Sequence, residues 1–276
     1  MGDETDGVGH TPNHSFGRMT RRALAVLLIT AAAATTLAGC GGVGAKLTFV
    51  DVEKVKVTEI KIAGHHGDVR VRTAAIAETR INRIVEHTSD PQVSYQVDGT
   101  VLSVDTDCGP DCRVAYDIVA PEGVKVTGRL SSGDIGLTQI GSADVTVTSG
   151  DVVVQGATGD VRAVSTSGDV NATQVAGRTM LEARSGNARA LDVQGPVEAR
   201  VTSGDITVHL RKQSSVKVDA TSGDVNVRVP QGSYRMNVHA PSGDEGVTGL
   251  TPDPASPFTL DVSARSGDVM VVADPA

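Results

Sequence analysis

Glycines stand at 141, 150, 159, 168, 177, 186, 195 and 204, each nine residues after the last. Glycine makes up 31 of 276 residues, about one position in nine, so eight in fixed register mark an internal repeat rather than composition. Nine residues hold one short strand and one corner. A strand of about five residues spans roughly 17 Å, and the corner calls for a residue that accepts positive φ without steric cost. The signature Ser/Thr-Gly-Asp-Val/Ile marks the strongest copies, at 131–135, 148–152, 157–161, 166–170, 202–206, 221–225 and 265–269, with degraded copies at 184–188 and 241–245. The expected repeat corners are Gly133, Gly150, Gly159, Gly168, Gly186, Gly204, Gly223, Gly243 and Gly267. Two and four residues after the glycine the chain is apolar: Val152 and Val154, Val170 and Ala172, Ile206 and Val208, Val225 and Val227. Aspartate at +1 points the other way.

Such an arc cannot bury its apolar face alone and must stack on its neighbours. The sequence therefore predicts an all-β fold: a single elongated β-solenoid with about 18 residues per coil, as two nine-residue arcs, and a β-rich N-terminal cap. A three-sided coil of six-residue faces also gives 18; two glycine corners per coil favour two sides. Eight coils over 129–272 would rise about 40 Å at roughly 4.8 Å each. Only six residues are aromatic (Phe16, Phe49, Tyr95, Tyr116, Tyr234 and Phe258) and tryptophan is absent, so Val, Ala and Ile must fill a thin interior. Residues 46–128 alternate with period two, with an Asp-Gly hairpin in VDGTV at 97–101. The stretch 76–88 fits neither period cleanly and is read as a strand. Near the C-terminus the rhythm loosens: Gly223 to Gly243 is 20 residues and Gly243 to Gly267 is 24, the excess falling in the proline-containing DEGVTGLTPDPASP. Terminal repeats covering an open edge are expected to be irregular.

The N-terminus carries an address. Arg21 and Arg22 precede an apolar run, Ala23 to Gly39, of 17 residues. A spanning helix needs about 20, so the run is read as a secretory signal. Leu37-Ala38-Gly39-Cys40 resembles the lipobox of bacterial lipoproteins, which implies that Cys40 carries diacylglycerol and begins the mature chain. Asp3, Glu4 and Asp6 do not suit a signal, so the start is either Met19 or a cytoplasmic lead precedes it. The chain divides into lead and signal peptide (1–39), tether (40–45), β-rich first rungs and cap (46–128) and repeat solenoid (129–276). Residues 1–40 hold three acidic and three basic residues, so the mature part, with 30 acidic against 22 basic, holds all of the −8 charge. That balance disfavours nucleic acid and bare anionic membrane as partners.

YDIVAPEGVKVTGRLSSGDI, followed by repeated SGDV and preceded by IAGHHGDVRV, resembles the bacterial putative-adhesin family of Gly-Asp-Val β-strand-repeat proteins over about 46–272. The resemblance implies an extracytoplasmic β-solenoid, often tethered to the envelope, in a family whose function is largely unassigned. It brings no catalytic residues.

Stacked coils would bring Asp134, Asp151, Asp169, Asp205, Asp224, Asp244 and Asp268 into an outward row about 5 Å apart. Two such charges repel by about 1 kcal/mol in water. Hydrogen bonds from serine hydroxyls and corner N–H groups, with Asn187 diluting the row, would offset this. Calcium between corners is the alternative, but calcium rolls need further glycines whose carbonyls act as ligands, and these are missing. Cys108 and Cys112, in DCGPDC, are expected to form a structural disulfide in an exported protein. Adjacent His65 and His66 on a strand would point to opposite faces and chelate poorly, so they are read as solvent-exposed corner residues. No catalytic constellation, metal site or cofactor motif stands out. The expectation is a non-enzymatic, lipid-anchored module on the extracytoplasmic face of the cell membrane, a scaffold or adhesin-like binder whose partner is an envelope protein or glycan. An envelope-stress signalling accessory and a polysaccharide-active β-helix enzyme are the alternatives.

Overall fold

The structure, a computed structural model, describes residues 45–87, 93–109 and 112–274. These residues form twenty-four strands and no helix. The first sheet runs, in spatial order, β1 (Ala45–Glu53), β4 (Thr79–His87), β7 (Cys112–Pro121), β3 (Val69–Ala74), β9 (Ile135–Ile140), β11 (Val152–Ala157), β13 (Val170–Val175), β15 (Ala188–Val193), β17 (Ile206–Leu210), β19 (Val225–Pro230), β24 (Val269–Asp274) and β21 (Glu245–Thr248). The second runs β5 (Tyr95–Asp98), β6 (Val101–Asp105), β2 (Glu59–Ala63), β8 (Lys125–Ser132), β10 (Ser142–Ser149), β12 (Val161–Ser167), β14 (Thr179–Ser185), β16 (Val197–Ser203), β18 (Val216–Ser222), β23 (Thr259–Ser266), β20 (Ser233–His239) and β22 (Thr251–Pro252).

One coil is one strand of each sheet. Strand β12 turns at Ser167-Gly168-Asp169 into β13, which turns past Gly177 into β14. Val161 then pairs with Thr179, eighteen residues on, in parallel register. The coil is two-sided, with faces of seven and six residues. Val161, Ala163 and Ser165 from one face and Val170, Ala172 and Val175 from the other are buried between the sheets. The glycine corners are of two kinds. Gly168 adopts φ 141°, and an added Cβ would overlap the Gly150 carbonyl of the coil below. Gly177 has ordinary φ, but its Cβ would run into Asp160 and the Gly159 backbone. Gly159 and Gly243, expected to need positive φ, do not adopt it. A column of positive-φ residues runs instead along the far end of the first sheet, at Gln139, Gly156, Gln174 and Asp192. There the chain bulges before it turns.

The rung order departs from the sequence at both ends. Strands β23 and β24 pair with β18 and β19 on one side and with β20 and β21 on the other. The last coil in sequence is therefore the penultimate one in space, and the excess residues after Gly243 let the chain step back inward. At the N-terminal end β2 and β3 likewise lie inside β6 and β7. Beyond β7 the pairing turns antiparallel, through β4 and then β1. Residues 79–87 are thus a strand, as read from the sequence.

Aromatic side chains close the two ends. Arg83, 7 % exposed, lies over the rings of Phe49 (5.0 Å) and Tyr95 (5.3 Å) and donates to Asp51 at 3.0 Å. Tyr116 lies beneath, its hydroxyl donating to the Ser94 carbonyl at 2.6 Å. At the other end Tyr234 is fully buried against Phe258 and donates to the Pro230 carbonyl at 2.9 Å. Between them, from Lys125 to Pro230, the chain has no aromatic residue. The narrow interior of the regular rungs has no room for a ring.

Candidate binding surface

The most regular feature of the surface is the corner column. The Asp134 carboxylate accepts the N–H of Asp151 at 2.8 Å, Asp151 that of Asp169 at 2.8 Å, and Asp169 that of Asn187 at 2.8 Å. The Asn187 side-chain oxygen accepts the Asp205 N–H, Asp205 that of Asp224, Asp224 that of Asp268 and Asp268 that of Asp244, each at 2.9 Å. Each carboxylate holds the next coil. The donors are main-chain N–H groups. The column begins one rung earlier than the repeat implies, at Asp68, which accepts the Asp134 N–H at 3.1 Å. Its signal in the sequence is the tripeptide Gly67-Asp68-Val69, off the period by the length of the cap. The Asn187 N–H and Arg189 hold the Asp169 carboxyl below the usual carboxylate range. Beside the aspartates, Ser132, Ser149, Ser167, Ser185, Ser203, Ser222 and Ser266 stack in one column.

Outside the corners the two faces differ. The second sheet is charged, with Arg162 on Asp144 at 3.2 Å and Arg200 on Glu198 at 2.8 Å. The first sheet mixes ion pairs with apolar side chains. His209 lies between Asp192 (3.0 Å) and Asp274 (2.6 Å), with Arg211 on Asp192 at 2.9 Å and Arg228 on Asp274 at 3.4 Å. The Arg211 hydrogen bond, more than any other group, holds the Asp192 carboxyl below its ordinary range. Next to this cluster, exposed Met270 and half-buried Leu191 and Val272 border a shallow depression of about 280 Å³. It joins apolar side chains to His209 and Arg228 on the regular rungs.

A family model covers residues 50–269, from the edge strand to the last coil. The chain belongs to the Toastrack DUF4097 family. No curated protein matches it. Three solved structures are similar at low identity. A putative cell adhesion protein from Clostridium sporogenes is 12 % identical, with 83 % of this chain and 100 % of that one covered and a TM-score of 0.34. A putative adhesin from Bacteroides fragilis is 15 % identical (82 % and 97 % covered, TM-score 0.45). A putative adhesin from Parabacteroides merdae is 13 % identical (83 % and 96 %, TM-score 0.37).

In this Toastrack chain the remaining candidates fall at the N-terminal end. Cys108 and Cys112 lie side by side, their Cα atoms 5.3 Å apart, within the span a disulfide bridges. His65 and His66 lie at the corner between β2 and β3, not on a strand: the His65 ring meets the Asp107 carboxylate, and the His66 backbone bridges to that of Ser132. The Asp107 hydrogen bond raises the His65 pKa. Burial pushes the Tyr116 hydroxyl up to about 12 and raises that of Tyr95 further, helped there by Asp51. Among the described residues no group of three His, Cys, Asp or Glu side chains is placed to hold a metal ion. Cys40 lies outside the described residues. The Arg83 stack is not legible in the sequence because Arg83 lies on β4 and its partners come from β1 and β5.

Proposed function

We propose that this chain is a non-enzymatic scaffold of the bacterial cell envelope, lipid-anchored through Cys40 on the extracytoplasmic face, that binds an envelope protein or glycan along its outer sheet surface. One observation carries the reading: stacked rungs fill the interior with side chains and leave function to flat faces repeated every coil. Extended repeat surfaces of this kind suit recognition of long or repeated partners. The patch around Met270, His209 and Arg228 is the proposed centre of contact, since it combines exposed apolar surface with charge held in place by ion pairs. Cys108 and Cys112 are proposed to be oxidised in that compartment.

The experiment is a fractionation followed by capture. Cys40→Ala is expected to move the protein from the membrane fraction to the soluble one; retention in the membrane fraction argues against the lipid anchor. Pull-down from intact cells, with Met270→Asp as the comparison, is expected to recover one class of glycan or membrane protein that the variant loses. Equal recovery by both rejects the patch. Turnover of a uronate polymer by the purified chain would revive the enzyme alternative.

A further inference from the structure

Among the described residues seven large apolar side chains are strongly exposed, and four of them, Val50, Val52, Val55 and Val93, belong to the N-terminal end. Val50 and Val52 lie on β1 and Val93 just before β5, the outermost strands of the two sheets. The connection holding Lys54, Val55 and Lys56 crosses from β1, the edge of one sheet, to β2, two strands in from the edge of the other, and the Thr58 N–H binds the Thr100 carbonyl at the β5–β6 hairpin at 2.9 Å. Both lysines are exposed and have no ion-pair partner among the described residues. Two of the nearby acids are engaged, Asp51 with Arg83 and Glu53 with the Tyr95 hydroxyl, while Asp98 at the β5–β6 hairpin is exposed. The opposite end has the reverse character. Residues 240–258 contain no Lys or Arg and expose Asp244, Glu245 and Val247.

Cys40 precedes Ala45 by five residues. At about 3.5 Å per residue that link reaches at most about 18 Å, so a lipid on Cys40 brings the β1 end to the membrane surface. A bilayer presents an apolar interface beneath anionic headgroups, the chemistry that valines flanked by unpaired lysines fit. We propose that the N-terminal rung of the solenoid is a membrane-seating surface, with Val50, Val52, Val55 and Val93 in the interface and Lys54 and Lys56 on lipid phosphates. The inference rests on the lipid-anchor reading and deepens it: the lipid acts as one membrane signal and the rung as a second. A diacylglycerol on Cys40 supplies two acyl chains and anchors the chain by itself, so the rung's contribution is to fix its orientation on the membrane. The acidic end then faces away from the membrane.

The chain has no tryptophan, so an introduced one reports alone. Val50 and Val93 are 49 % and 71 % exposed, which lets an indole replace either without entering the core. The full chain is extracted from cell membranes and reconstituted into phosphatidylglycerol and phosphatidylcholine vesicles with brominated acyl chains. Val50→Trp and Val93→Trp are expected to show blue-shifted emission and loss of intensity, while Val247→Trp at the far end and Val153→Trp on the middle rungs show neither. Lys54→Glu with Lys56→Glu is expected to weaken the quenching, and raised salt likewise. Lipid-modified chain floating with vesicles while all four indoles stay unquenched overturns the seating and leaves the anchor intact. Chain that carries no lipid at Cys40 and does not float overturns both. A blue shift that depends on protein concentration, with no loss to bromine, overturns the seating in favour of a second copy on the same rung.

Discussion

Asn187 stands where the other rungs keep an aspartate, and its side chain still accepts the next N–H while donating to Asp169 at 3.2 Å. The contact therefore needs an acceptor, not a charge. Asp169→Asn is expected to fold normally, whereas Asp169→Ala leaves the Asn187 N–H to solvent at a cost of about 1 kcal/mol, since the corner is partly exposed. The two variants separate by pH. The Asp169 pKa is depressed in the fold, so its contribution is complete above the unfolded value of about 4 and is lost as pH falls through the lower folded one. Urea midpoints measured from pH 7 down to pH 3 should show a shallower acid loss for Asp169→Asn than for the native chain. His65 has the opposite sign: its pKa is raised by Asp107, so its contribution is complete below about 6.5 and is lost as pH rises through the higher folded value. Inside the coil, Thr179 is fully buried, its hydroxyl has no partner, and it stacks between Val161 and Val197. Replacing a buried unpaired hydroxyl by an isosteric methyl removes a desolvation penalty, so Thr179→Val is expected to stabilise the chain by about 1 kcal/mol. A fall in thermal midpoint would mean that the hydroxyl has a partner.

At the scale of the element, corner and strand behave as one unit. Gly168→Ala is expected to cost about 3 kcal/mol or more, because positive φ and contact with the Gly150 carbonyl act together. Chelators should leave the melting temperature unchanged, since one oxygen of every corner carboxylate but the terminal Asp244 is taken by the next N–H; a large fall would put a cation in the column. This repeating part of the fold was legible in the sequence. A nine-residue glycine beat can be closed in few ways, and Val and Ala two and four residues later say which side faces in. Rung order was not legible. The Val216 and Val218 positions of β18 accept Leu260 and Val262 of β23 in the same register they would offer to any apolar-alternating strand, so the pattern does not choose between β20 and β23. The Arg83 stack was hidden for a related reason: its partners are brought together by the antiparallel cap, which carries no repeat.

At the scale of the whole molecule, the C-terminal end of the solenoid is tucked inside its spatial end, while at the other end β2 and β3 lie inside later strands and β1 returns to the edge. An ordinary solenoid frays from the coil nearest its terminus, because that coil has a neighbour on one side only. Here β23 and β24 have neighbours on both sides; β21 is the edge of one sheet, and β20 is covered on its outer side by β22 only at Ser233 and Tyr234. Asp274, the last residue of β24, adds ties to His209 and Arg228, two and one strands inward. Local opening free energy follows the number of such contacts. Amide hydrogen exchange should therefore invert the sequence order: Val262 and Val271, closer to the C-terminus, are expected to exchange more slowly than Val238 and Val247, on the order of tenfold, or about 1.4 kcal/mol. His209→Ala should narrow the gap at Val271 more than at Val262, since the Asp274 tie lies on β24. If Val262 and Val271 exchanged faster than Val238 and Val247, the terminal coil would lie outermost, and the inward step after Gly243 would be wrong.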